Sequence, residues 1–182
     1  MKGITKLREM TSPIDTFDLA GLRLTSGEGR RIDVGVNFEP FALGGETYIV
    51  EPGVVPARLD VSRMTGDGYS LRLRFEANLR GACMRCLEPA DAVHVIDARE
   101  ISQPGAGEEL DSPYVSEGTL DLSAWARDAL ALDVPRAILC RPECAGLCVV
   151  CGTDLNVAGP DHRHEPEADP RWAILSEIKF DD

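Results

Sequence analysis

Six cysteines and a close pair of histidines are the residues of this chain whose types and spacing suit chemistry. Cys83-Met84-Arg85-Cys86 and Cys148-Val149-Val150-Cys151 are C-x2-C pairs, and Cys140 and Cys144 lie between them. His162 and His164 follow in Asp161-His162-Arg163-His164, while the third histidine, His94, stands alone in a strand-like stretch. A C-x2-C turn lets two thiolates grip one tetrahedral ion, with Zn–S near ~2.3 Å, while backbone amides of the turn donate to the sulfurs. Gly152, directly after the second pair, supplies the backbone freedom such a turn needs.

Three chemistries compete for these thiols. A disulfide framework is disfavoured because the composition is that of an ordinary core and the N-terminus carries charge without the apolar stretch of a signal peptide. A single C-x2-C suits a redox dithiol, which calls for a cysteine at a helix N-terminus; Cys83 instead follows a long alternating strand through Gly81. Two pairs plus two further cysteines favour zinc. Six cysteines and two histidines make the eight ligands that two tetrahedral ions require. One division joins Cys83, Cys86, Cys140 and Cys144 and leaves Cys148, Cys151, His162 and His164 for a second ion. The other puts Cys140, Cys144, Cys148 and Cys151 together and leaves Cys83 and Cys86 as a free or redox-active pair. Only three residues separate Cys144 from Cys148, which favours the first, because zinc ribbons separate their knuckles by about a dozen residues or more. The second stays open, as does a reading of His162 and His164 as solvent-exposed loop residues.

Four-cysteine sites leave no open coordination position and are structural. The deaminase pattern H-x-E with P-C-x-x-C, H-E-x-x-H, G-x-S-x-G, phosphate loops and dinucleotide fingerprints do not occur in the sequence, so no catalytic residues are assigned and a non-enzymatic protein is expected.

The ligands need elements to hold them. Ile32, Val34, Val36 and Phe38 alternate with polar residues before Pro40, and Glu46 to Val50 is strand-like between Gly44-Gly45 and Pro52-Gly53. Ala57, Leu59 and Val61, then Leu71, Leu73, Phe75, Ala77 and Leu79, predict a β-hairpin turning at Gly66-Asp67-Gly68. Residues 92 to 101 form another strand, and 103 to 109 an acidic loop. Asp121 is a candidate N-cap for a helix over 122 to 132, with Trp125 as a core anchor and Val134-Pro135 as its end. Residues 1 to 20 read as an arm or edge element, and 156 to 170 as a polar loop. Asp169-Pro170 with Trp172, Leu175 and Ile178 suggests a final short helix. The expected fold is α+β: an antiparallel β-sheet from residues 30 to 101, a packed helix, and a cysteine-rich, zinc-binding C-terminal segment folding back toward Cys83. The division is a β-rich region, 1–110, with the first C-x2-C, and a helix plus cysteine-rich acidic region, 111–182, in one compact domain.

The chain has 182 residues and a formal net charge of −12, a balance that repels phosphates unless basic residues gather on one face. Residues 1 to 100 carry 13 basic and 15 acidic side chains, whereas 101 to 182 carry 6 and 16. The deficit is therefore C-terminal. Arg72, Arg74 and Arg80 share the polar face of one strand, and with Arg85 in the first knuckle they are the candidates for RNA phosphate contact. No run of the sequence approaches the eighteen or more apolar residues of a membrane helix, and a cytoplasmic location without membrane association is expected.

Four segments together resemble the bacterial YceD family, the large ribosomal RNA subunit accumulation proteins. They are Cys83-Met84-Arg85-Cys86-Leu87-Glu88-Pro89; Leu120-Asp121-Leu122 through Leu130-Ala131-Leu132 with Pro135; Cys140-Arg141-Pro142-Glu143-Cys144-Ala145-Gly146-Leu147-Cys148-Val149-Val150-Cys151-Gly152-Thr153-Asp154-Leu155-Asn156; and Asp169-Pro170-Arg171-Trp172-Ala173-Ile174-Leu175. The resemblance covers about half the chain, residues 80 to 180. It implies a cytoplasmic, non-enzymatic ribosome biogenesis factor needed for 23S rRNA accumulation through processing, protection or assembly of the large subunit. Its implied partners are 23S rRNA or its precursor and a large-subunit ribosomal protein, with no small-molecule substrate. Members with the second cysteine pair often place further Cys or His after it, where this chain has His162 and His164. Two alternatives accompany this reading: an acidic adaptor for a basic ribosomal protein, suited by the C-terminal charge, and a thiol redox protein using Cys83 and Cys86.

Overall fold

The computed structural model describes residues 12–105, 107 and 110–165. In chain order the strands are β1 (Thr16–Asp18), β2 (Gly29–Asn37), β3 (Phe41–Leu43), β4 (Glu46–Glu51), β5 (Val54–Arg63), β6 (Tyr69–Ala82), β7 (Pro89–Ser102), β8 (Val115–Ser116) and β9 (Thr119–Asp121). Helix α1 (Leu122–Asp133) follows, then a single-turn helix α2 (Leu155–Ala158). The protein is mostly antiparallel sheet with few helices. Among the described residues no helix is long and apolar enough to cross a membrane.

Strand β6 is the axis of the main sheet. One of its edges pairs with β5 over Tyr69 to Phe75 and with β4 over Asn78 to Arg80, while β7 runs along its whole other edge. The alternation read from the sequence is the cause: Leu71, Leu73, Phe75, Ala77 and Leu79 are all buried, and the residues between them face outward. A period of two puts every second side chain on one face, so a single row of apolar residues suffices to make that face a core. Helix α1 lies over it with Leu122, Trp125, Ala126 and Leu130 buried. Arg127 fastens the helix from the other side, donating to the carbonyls of Glu39 (2.8 Å) and Pro40 (3.2 Å) and lying over the Phe41 ring.

The capping expectation at Asp121 holds, since its Oδ1 accepts from the Ala124 amide at 2.9 Å. Asp121→Ala should therefore cost about 1 kcal/mol, measurable as a lowered denaturation midpoint with an unchanged slope.

Several elements differ from the sequence reading at their edges. Phe38 lies outside β2, and β7 begins at Pro89 rather than near 92. Within the stretch read as an arm or edge element, β1 is the edge strand of a second sheet ordered β1-β9-β8, whereas β3, β8 and β9 carry no period in the sequence. Strands of two or three residues are too short to display a period. Helix α2 occupies part of what reads as a polar loop, capped by Asp154, whose side chain accepts from the Asn156 amide at 2.8 Å. The helix expected after Asp169 lies outside the described residues.

Candidate metal centres

The turn between β6 and β7 is the first knuckle. The Cys83 amide donates to the Glu88 carbonyl (2.8 Å) and the Leu87 amide to the Cys83 carbonyl (3.0 Å), folding Cys83 and Cys86 onto one side. The chain leaving α1 is drawn to the same place. Met84 donates its amide to the carbonyl of Ile138, a fully buried residue, and the Arg85 guanidinium donates to the Cys144 carbonyl at 2.8 Å. These bonds bring Cys140 and Cys144 against the knuckle.

The result is a group of four sulfurs, Cys83, Cys86, Cys140 and Cys144, all within 4.8 Å of one another. Cys83 and Cys144 sulfurs are 3.7 Å apart, and Cys86 and Cys140 3.6 Å. Disulfide sulfurs sit at about 2.05 Å, so these are free thiols. Sulfurs at the corners of a tetrahedron, each about 2.3 Å from a central ion, lie about 3.8 Å apart. The donor set and its spacing thus fit a tetrahedral soft cation, and Cys83, Cys86 and Cys144 are buried.

Electrostatics point the same way. Burial alone would raise the Cys83 thiol, but the amides of Arg85, Cys140 and Cys86 outweigh it and bring it down to about 6. The Glu88 amide favours the Cys86 thiolate, yet burial and the sulfurs of Cys144, Cys83 and Cys140 push it up to about 12. Burial likewise raises Cys140. One thiolate is stable in this cluster and further ones repel it; a divalent cation removes that conflict.

A second group forms past the first. The Leu147 amide donates to the Arg85 carbonyl (3.1 Å), and the Cys148 amide to the Thr153 carbonyl (2.8 Å), closing the second C-x2-C turn. Cys148, Cys151, His162 and His164 present ligand atoms within 4.8 Å of one another. His162 Nε2 lies 3.4 Å from the Cys151 sulfur and 3.0 Å from His164 Nε2. The Thr153 hydroxyl, 3.1 Å from the Cys151 sulfur, and its amide are the main causes that bring that thiol down to about 6, helped by Cys148 and His164. Unlike the first group this one is on the surface, with Cys151 and His164 exposed. Cys140 and Cys144 face the first knuckle and not the second, so the division that would join them to Cys148 and Cys151 is not the one the fold makes.

The four arginines do not form one site. Arg72 makes two hydrogen bonds to Asp97 (2.6 and 2.5 Å), and Arg74 donates to Asp60 (2.5 Å). Arg80 stands at the far end of the outer face between Glu51 and Asp91. Arg85, an exposed residue, donates to the Cys144 carbonyl. Asn156, to which the sequence reading assigned no role, accepts from the Ala145 amide at 2.8 Å and donates to the Cys144 sulfur at 3.6 Å. It closes the motif containing Cys140 to Cys151, the one signal that could have marked it.

A family model described as large ribosomal RNA subunit accumulation protein YceD matches residues 71–179, from the start of β6 through both ligand groups. The chain belongs to the YceD family. Similarity extends beyond the matched segment to the N-terminal strands. Uncharacterized proteins of Mycobacterium tuberculosis and Mycobacterium bovis are 33% identical over 97% of this chain and 86% of their own length. One of Mycobacterium leprae is 29% identical over 97% of this chain and 82% of its own. No solved structure matches the chain. The YceD description names ribosomal RNA accumulation, a ribosome-related role and not a reaction.

Proposed function

We propose that this YceD protein is a non-enzymatic, zinc-stabilised factor that works in the cytoplasm, contacts 23S rRNA or its precursor, and supports rRNA accumulation during large-subunit assembly. The observation that carries the reading is the buried four-sulfur group tying the β6–β7 turn to the chain after α1, in a family described by rRNA accumulation. Sulfur-only and mixed sulfur and imidazole donor sets favour zinc over hard cations. Four thiolates would leave no coordination position for a substrate, which supports a structural ion and a scaffold. The second ion would sit on Cys148, Cys151, His162 and His164. The β-rich part, 1–110, and the remainder, 111–182, would then act as one unit stapled by the first ion.

The test is complementation of a strain lacking the gene. Wild-type protein should restore the ratio of 23S to 16S rRNA and sediment with large-subunit precursors, and Cys86→Ser should do neither. An unchanged ratio in the deletion strain overturns the reading.

One observation favours the adaptor alternative: Arg72, Arg74 and Arg80 are each paired with carboxylates, while residues 101 to 182 carry 16 acidic against 6 basic side chains. An adaptor keeps a basic ribosomal protein through nuclease treatment, and an RNA binder loses its ribosomal partners. The thiol redox alternative is decided by metal analysis, because zinc at both sites leaves no free dithiol at Cys83 and Cys86.

A further inference from the structure

On the outer face of the main sheet, strand register assembles a row that the sequence order conceals. Arg31 of β2 stands opposite Asp60 of β5, Asp60 opposite Arg72 of β6, and Arg72 opposite Arg99 of β7. The adjacent row is Asp33, Arg58, Arg74 and Asp97. The second row is balanced, whereas the first sets three guanidiniums against one carboxylate.

The ion pairs run both within and between the rows and engage all three acids. Asp60 accepts from Arg31 (2.6 Å) and Arg74 (2.5 Å), and Asp97 accepts twice from Arg72. Asp33 accepts from Arg58 at 3.5 Å. Arg99 acts on Asp97 through space, but among the described residues no carboxylate forms an ion pair with it. Arg72 and Arg99 are like charges directly opposite each other that share the one carboxylate of Asp97, so the pair keeps an excess positive charge that a further anion would offset.

A surface depression of about 420 Å³ opens at this place, where Arg31, Arg72 and Arg99 meet the hydroxyl-bearing Ser62 and Ser70 with Asp60 as the acid among them. Ser62 and Ser70 are themselves cross-strand partners, two residues along the strands from the arginine row and on the same face. The other end of the face carries Glu51 and Asp91 on either side of Arg80. In a chain of net charge −12, these two rows hold five arginines and three aspartates. Three strand spacings of about 4.8 Å make the row about 14 Å long, which suits an extended polyanion better than a single ion.

We infer that the depression framed by Arg31, Arg72, Arg99, Ser62 and Ser70 is a phosphate-recognition site that grips the backbone of RNA. It rests on the rRNA reading above and names the surface that makes the contact. Guanidiniums supply only donors and each serine hydroxyl can donate one hydrogen bond, while phosphate oxygens are acceptors that Arg can take two at a time. The site reads backbone and not bases, so it positions the protein on RNA without selecting sequence.

The experiment is binding of zinc-loaded protein to an in-vitro transcribed fragment of 23S rRNA between about 50 and 200 mM salt. Arg31→Gln with Arg99→Gln should weaken binding about tenfold at the lower salt and flatten the salt slope by about two. Asp97→Asn, which releases Arg72 beside Arg99, should tighten binding several-fold. Arg80→Gln should leave affinity unchanged. Inorganic phosphate at equal phosphate concentration should not displace the RNA. Equal losses for Arg80→Gln and Arg99→Gln, displacement by inorganic phosphate, or no RNA binding by the wild type each overturn the site. None of these results alters the complementation outcome, so the rRNA-accumulation reading stands or falls separately; failure here with nuclease-resistant particle association points to a protein partner.

Discussion

Cys86→Ser should remove about one zinc per chain and cost of order 4 kcal/mol, the range reached when a mutation costs a structural metal. The expected size follows from what else holds the C-terminal segment. Between Leu139 and Glu165, Cys144 and Gly146 are the buried residues among those described, a glycine adds no side chain to a core, and Val149, Val150 and Val157 are exposed. So little apolar surface cannot order a segment of this length, because each residue costs about 1 to 2 kcal/mol of backbone entropy. Ion binding therefore stands in for a core. Cys151→Ser provides the contrast: it should also remove about one zinc but cost under about 1 kcal/mol, since its group lies on the surface and closes only the local turn. Zinc stoichiometry, denaturant unfolding and hydrogen exchange measure all three quantities. In the Cys86 variant, and on chelation of wild type, exchange should rise over residues 136 to 165 while β5 to β7 stay protected. Equal destabilisation by the two variants, or simultaneous loss of segment and sheet, would contradict the stapling account.

Gly81→Ala should destabilise the protein by about 3 kcal/mol, at the upper end of the cost of overpacking. A Cβ at Gly81 would lie 2.4 Å from Cδ1 and 2.7 Å from Cε1 of Tyr48. The ring cannot move aside easily. Tyr48 is fully buried, and its hydroxyl donates to the Ala82 carbonyl at 2.6 Å. The residue pins β4 across the end of β6, two positions before Cys83, so displacing it also shifts the first knuckle. Lower zinc affinity should accompany the lower stability. Gly53→Ala, where nothing lies within 4 Å of the added carbon, should stay within about 0.5 kcal/mol. Thermal unfolding and zinc titration of the two variants give the comparison. A Gly81 variant as stable as the Gly53 one would show that the close approach to Tyr48 relaxes freely.

Gly81 also marks a boundary of sequence reading. Its φ is not in the left-handed region, so no turn signal attaches to it. The position needs glycine because another strand's aromatic ring crosses there, and that approach is created by the pairing of β4 with β6. The long strands were legible for the opposite reason. Each has one buried and one solvated face, which writes the fold into local alternation at Leu71, Leu73, Phe75, Ala77 and Leu79. Trp125 and the Asp121 cap were legible because helix period and capping are local too.

The sequence by itself determined the donor atoms, the strand-rich α+β plan and the concentration of negative charge after residue 100, since these depend only on residue type and short-range order. It could not determine which thiols meet. Cys86 and Cys140 are 54 positions apart, and their sulfurs come within 3.6 Å because the β6–β7 turn and the chain after α1 exchange backbone hydrogen bonds. Nor could it show that Arg72, Arg74 and Arg80 have carboxylate partners while Arg99, among the described residues, forms no ion pair, because a side chain's cross-strand neighbour is set by register. Only the tertiary structure decides such pairings, where distances in space replace distances along the chain.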